Sequence, residues 1–64
     1  MRNPKRIDNF CDELATVWKL YCPDWRFGQI MSNFQRWANN KGIDIFFLEE
    51  DRFKALLIEY LRIS

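Results

Sequence analysis

The segment Pro23–Gly28 separates two amphipathic stretches, and it constrains the possible folds more than any other part of the chain. Proline disfavours helical geometry in the residue before it, so a helix that arrives from the N-terminal side should end near Tyr21 or Cys22. Asp24 is the predicted N-cap of the next helix, because its carboxylate can accept from the free amides of a first turn. The sequence therefore predicts two helices joined by a tight turn.

Apolar residues recur every three or four positions in three stretches, which indicates three helices. Asn3 and Pro4 form a favourable helix start, with asparagine at the N-cap and proline at the first helical position. Gly42 is the natural left-handed residue after the second helix. We predict an all-α fold, a compact three-helix bundle that forms a single domain over residues 1–64. The predicted helices cover residues 4–21, 25–40 and 49–62, with a short turn at 43–48.

The same periodicity predicts which side chains fill the core. In the first helix these are Ile7, Phe10, Cys11, Leu14, Trp18 and Tyr21. In the second they are Phe27, Ile30, Met31, Phe34, Trp37 and Ala38. In the third they are Phe53, Leu56, Leu57, Tyr60 and Leu61, with Ile58 left exposed. Phe46 and Phe47 are expected to plug the end of the bundle, and the competing interpretation is an exposed aromatic anchor for another protein.

Charge supports an up-down-up arrangement of the helices. In that topology the start of the first helix lies beside the start of the third. Lys5 and Arg6, which are unfavourable near their own helix start, would then face the acidic residues Glu49, Glu50 and Asp51.

The composition argues against most kinds of chemistry. The chain has no histidine, the commonest general base and imidazole ligand, and no recognisable nucleophile motif. We therefore expect no enzyme activity, no catalytic residues, no metal site and no cofactor. Cys11 and Cys22 fall in one predicted helix about 16 Å apart, too far for a disulfide, so both are expected to be small core residues in a reducing cytoplasm. No stretch predicts a signal peptide or a membrane span.

The polar positions of the second helix are unusual, because they include no acid and only two cations. Glutamate and lysine stabilise exposed helices better than asparagine or serine, so this face favours contact with a partner over simple solvation. The alternative is that neutral polar residues are merely tolerated there. Arg26 would contact the last carbonyls of the first helix, or an acidic partner instead. Gly28 would allow close backbone packing, or the approach of a ligand. The candidate partner-binding residues are Arg26, Gln29, Asn33, Arg36 and Asn40.

Three functions compete for this face. The first is a protein-binding module, which suits a net charge of +1 and the arginine and aromatic content. The second is a small DNA- or RNA-binding regulator that uses helix 2 for recognition, since Arg, Gln and Asn read base edges. The third is a structural subunit that forms a homodimer through Gly28, Ser32 and Asn39. We favour the first, with occlusion of another protein as its mechanism.

The chain resembles a group of short, uncharacterised proteins of Firmicutes bacteria and their phages. The matching residues span most of the chain: Arg6-Ile7, Trp18, Pro23-Asp24, Arg26-Phe27-Gly28-Gln29, Asp44, Phe46-Phe47 and Glu49-Glu50. The resemblance brings no known activity and no functional residues. It implies a bacterial or phage setting, and hence a regulator or inhibitor from a phage or mobile element that binds a host protein.

Overall fold

The computed structural model describes residues 2–64, and it confirms the all-helical, three-helix architecture. A short 3-10 turn, which replaces the unassigned turn predicted at 43–48, connects the second and third helices. The helices begin one or two residues later than predicted, and the first two end where they were predicted to end. The elements are α1 at Lys5–Tyr21, α2 at Phe27–Asn40, the 3-10 turn at Ile45–Phe47 and α3 at Glu50–Ile63.

The first two helices begin in different ways. The N-cap of α1 is Pro4, so the prediction that Asn3 is the N-cap and Pro4 the first helical residue is wrong by one position. The Asn3 side-chain oxygen nevertheless accepts from the Lys5 amide across 2.9 Å. At α2 the predicted cap, Asp24, is wrong. The N-cap is Arg26, whose backbone amide donates to Gln29 Oε1 across 2.8 Å. The helix starts later because the Trp25 amide donates to the Cys22 carbonyl and holds the intervening residues in a separate turn.

The end of α2 is a left-handed turn at Gly42, as predicted. Gly42 has a φ of 78°, a conformation that side chains on L-residues disfavour. The Gly42 amide donates to the Asn39 carbonyl and the Ile43 amide to the Ala38 carbonyl, each across 2.9 Å. These bonds satisfy the last carbonyls of α2 and direct the chain into the 3-10 turn.

α1 and α3 lie side by side with their starting turns together. Arg6 Nη1 lies 3.0 Å from Glu50 Oε1, and Arg2 Nη2 lies 2.6 Å from Glu49 Oε1. The predicted charge pairing between the two helix starts is therefore correct for Arg6, whereas Arg2 takes the place expected for Lys5. A third ion pair, Lys54–Glu13, follows further along the same two helices.

Aromatic rings fill the centre of the bundle. The Phe34 side chain is fully buried. Its ring centroid lies 5.1 Å from that of Phe53 on α3, 6.0 Å from that of Trp37 and 6.2 Å from that of Tyr60. Edge-to-face, tilted and stacked ring pairs of this kind add about 0.5–1.5 kcal/mol per pair beyond the area that each ring buries. The core therefore joins α2 to α3 through ring contacts.

The buried face of α1 differs from the predicted stripe. Val17 is buried, although the sequence prediction omitted it, whereas Ile7, Cys11 and Tyr21 are exposed. The reason is that α1 packs mainly against α3. Phe10, Leu14 and Val17 share the face that this packing covers, and Cys11 lies off it. The prediction that Ile58 is exposed is also wrong, because this side chain is half-buried against the core.

Candidate functional site

The predicted partner-binding residues of α2 form one accessible surface, which we call the polar strip. It consists of Arg26, Gln29, Asn33, Arg36 and Asn40. Asn33 is half-buried, and the other four side chains are exposed. Steps of three and four residues keep them on one side of the helix, while Ile30, Phe34 and Ala38 point into the core. Four of the five side chains of the strip are therefore open to solvent, and Asn33 is partly covered.

Two residues at the start of the strip have distinct local roles. Gln29 uses its side-chain oxygen to accept from the Arg26 amide, so its NH2 group is the part left for a partner. The contact expected between the Arg26 side chain and the last carbonyls of α1 is wrong. Within residues 2–64 its guanidinium makes no hydrogen bond, and the Trp18 and Cys22 carbonyls accept from backbone amides instead. Arg26 thus presents its charge to solvent.

The electrostatic character of α2 contrasts with that of its neighbours. Residues 27–40 include no acid, and Arg36 has no ion-pair partner among residues 2–64. The cations Arg2 and Arg6, in contrast, pair with Glu49 and Glu50 at the start of α3. A partner that brings a carboxylate to the polar strip therefore meets arginines that no internal acid neutralises.

Gly28 does not pack closely against another element, contrary to the first of its two predicted roles. A Cβ atom built at this position meets no atom within 4 Å. Because Gly28 lies in the first turn of α2, the helix backbone is open to solvent there. The second predicted role, room for an approaching ligand or chain, remains a prediction.

Phe46 and Phe47 form an exposed aromatic pair, and the prediction that they plug the bundle is wrong. Their side chains are 82% and 77% exposed, and the two rings pack edge to face with centroids 4.9 Å apart. A 3-10 turn has three residues per turn, so Ile45 and Leu48 lie on one side and face the bundle. The intervening phenylalanines must point outward. The spacing of Ile45 and Leu48 was the sequence signal that could have revealed this.

An apolar cavity of 420 Å³ opens beside the aromatic pair, and we call it the α1–α2 crevice. α1 and α2 approach each other less closely than either approaches α3. Two of its walls are partly open to solvent, Ile7 at 49% and Phe27 at 46% exposure. Side chains from all four elements line it, including Ile7, Phe10, Phe27, Met31, Ile45 and Leu48. Sequence periodicity predicts that Ile7 and Phe27 lie in the core, and both predictions are wrong.

The two cysteines have opposite environments. Cys11 is exposed, contrary to the prediction, and Cys22 is buried. Burial raises the pKa of the Cys22 thiol above its ordinary value of 9.0. In residues 2–64 no three His, Cys, Asp or Glu side chains cluster as metal ligands would. No helix in that range has the length and apolar character needed to cross a bilayer.

Comparison of the chain with protein-family models, with curated proteins and with solved structures finds no match.

Proposed function

We propose that this chain is a non-enzymatic protein-binding module that docks through the polar strip of α2. The observation that carries the proposal is the exposed, acid-free face on which Arg26 and Arg36 have no internal ion-pair partner. Arginine donates in a planar fork that suits carboxylates, so an acidic surface on another protein is the partner this face fits.

The mechanism is occlusion. A helix held by a packed aromatic core presents its side chains with little loss of freedom on binding, which lowers the entropic cost of association. Covering an acidic surface would block whatever that surface does for the partner. In the bacterial or phage setting implied by the resemblance, the chain acts in the cytoplasm as a regulator or inhibitor of a host protein.

A charge-reversal experiment tests the proposal. The double variant Arg26→Glu, Arg36→Glu should keep the helical circular dichroism of the parent and lose the captured partner in affinity purification from bacterial lysate. The matched control is Arg52→Glu, Arg62→Glu, which makes the same change at two exposed positions of α3. Equal capture by the parent and by the α2 variant would assign binding to another surface.

The second candidate, nucleic-acid recognition, uses the same strip, because exposed Arg, Gln and Asn side chains on one helix face can read base edges. A salt titration of binding to random duplex DNA separates the two functions. Binding that weakens steeply with salt indicates phosphate contacts. No binding to DNA or RNA at low salt would exclude this candidate and leave the protein-binding module.

A further inference from the structure

The aromatic pair and the α1–α2 crevice are adjacent parts of one apolar surface. Ile45 and Leu48 line the crevice, and Phe46 and Phe47 lie between them in the chain and point outward. One patch of the molecule therefore carries both a protruding group and a cavity. The 420 Å³ of the crevice exceeds the volume of a phenyl ring.

The exposed area of the chain is large enough for two copies to bury an interface of ordinary size. Folded monomers of this mass expose about 4,400 Å² by the scaling of surface with mass. This chain exposes 4988 Å². The surplus is about 600 Å² per copy, so two copies that cover it would bury about 1,200 Å², the lower bound of stable specific interfaces.

A two-fold symmetric interface joins the same patch of both copies, so a patch that carries both a protruding group and a cavity can supply both halves of the contact. We infer that two copies of this chain form a dimer in which the Phe46–Phe47 pair of each copy enters the α1–α2 crevice of the other. The rim of the crevice presents no net charge against the incoming rings, because Arg6 there is paired with Glu50.

This dimer leaves the polar strip free. At about 100° per residue, Arg36 lies on the opposite side of α2 from Phe27, which lines the crevice. The inferred interface also differs from the predicted dimer strip of Gly28, Ser32 and Asn39. The inference is therefore independent of the proposed function, and either can fail alone.

Sedimentation equilibrium of the full chain tests the inference. The parent should sediment as a dimer of the 7.9 kDa chain and dissociate on dilution. Phe46→Asp should raise the dimer dissociation constant by at least about 30-fold, as the loss of a central aromatic anchor does at other interfaces. Leu20→Asp is the matched control, because Leu20 is 68% exposed and lies outside this surface. It should leave the dissociation constant unchanged.

A mixing experiment tests reciprocal insertion. Phe46→Asp keeps an intact crevice, and Ile7→Asp, on the crevice wall, keeps an intact aromatic pair. Each variant alone should be monomeric with a helical circular dichroism spectrum. In an equimolar mixture, the aromatic pair of the Ile7→Asp chain can enter the crevice of the Phe46→Asp chain. Dimers that hold one of the two contacts should therefore form. A mixture that stays monomeric would overturn reciprocal insertion.

Three further results would overturn the inference. A parent chain that is monomeric at all concentrations would show that the aromatic pair and the crevice do not join two copies. A Phe46→Asp variant that dimerises like the parent would remove the aromatic pair from the interface. A Ser32→Arg variant that loses the dimer, together with a Phe46→Asp variant that keeps it, would place the contact on the strip of Gly28, Ser32 and Asn39 instead.

Discussion

The Trp18 indole nitrogen donates to the Trp25 carbonyl across 3.0 Å, and the same indole lies 5.7 Å from the Phe27 ring, centroid to centroid. One side chain of α1 thus holds both the connecting turn and the first residue of α2. The turn contains Pro23 and ends at Arg26, so its geometry decides where α2, and with it the polar strip, begins.

Trp18→Phe should destabilise the fold by about 1 kcal/mol, because it removes this hydrogen bond and part of the buried ring. Urea unfolding followed by circular dichroism measures the change. Trp37→Phe is the control, since Trp37 is also half-buried on an aromatic neighbour but its indole nitrogen has no hydrogen-bond partner within residues 2–64. If Trp37→Phe lowers the free energy of unfolding as much as Trp18→Phe does, the cost comes from the smaller ring and not from the lost hydrogen bond.

The two glycines should respond in opposite directions to alanine. Gly28→Ala should stabilise the chain by up to about 1 kcal/mol, because a Cβ meets open space in a helical conformation. Gly42→Ala should destabilise it by about 1–2 kcal/mol, because φ is +78° there. Thermal unfolding of both variants checks the signs. Stabilisation by both would contradict the left-handed turn after α2.

Phe34→Ala should cost about 3–5 kcal/mol through the loss of a fully buried ring and the cavity it leaves. A domain of this length has a total stability of about 3–10 kcal/mol, so the variant should lose a large part of its free energy of unfolding. Phe47→Ala deletes the same ring at a position that is 77% exposed. In solution dilute enough to dissociate the inferred dimer, it should change the free energy of unfolding by less than about 0.5 kcal/mol. Similar effects of the two variants would refute the assigned core.

Alkylation should distinguish the two cysteines. Cys11 is exposed and should react with iodoacetamide at the rate of a small-molecule thiol. Cys22 should react more slowly, because it is buried and burial raises the pKa of its thiol. Peptide mass spectrometry over time gives both rates, and the two should converge in urea. Equal rates in native buffer would contradict the burial of Cys22.

The pKa of Cys22 also fixes the sign of a pH effect. Burial raises the pKa of the Cys22 thiol in the folded chain above its unfolded value of about 9. The contribution of this thiol to the free energy of unfolding is therefore intact below pH 9, and it is lost as the pH rises through the folded pKa. The free energy of unfolding should therefore fall on the alkaline side of pH 9. Cys22→Ala should reduce this alkaline loss, and Cys11→Ala should not. Urea unfolding of the parent and of both variants at a series of pH values measures this alkaline loss of stability.

The helices and their order follow from local rules that the sequence displays. The Asn3 side chain accepts from the Lys5 amide just before α1, because a short polar side chain can reach a first-turn amide. Gly42 ends α2, because glycine tolerates a positive φ. The pairing of Arg6 with Glu50 follows from the topology alone. The prediction that Asp24 caps α2 is wrong, because the hydrogen bond from the Trp25 amide to the Cys22 carbonyl, which delays the helix, is not visible as a sequence pattern.

The surfaces were harder to predict than the elements. The polar strip can be predicted from periodicity, because the set of side chains that share one face of a helix does not depend on tertiary contacts. The exposure of Ile7 and Phe27 depends on how far α1 stands from α2, and apolar spacing carries no such distance. The outward direction of Phe46 and Phe47 required the 3-10 geometry, which a run of apolar residues does not specify.

The rings around Phe34 have a thermodynamic consequence for so short a chain. Phenylalanine, tyrosine and tryptophan each bury about 150–250 Å² while freezing only two side-chain torsions. A core of methionines would immobilise more rotatable bonds for the same covered area, at up to about 2 kcal/mol of rotamer entropy each. The cluster of Phe34, Trp37, Phe53 and Tyr60 therefore gives this bundle a large area of contact per ordered torsion, and a 64-residue chain depends on that ratio to stay folded.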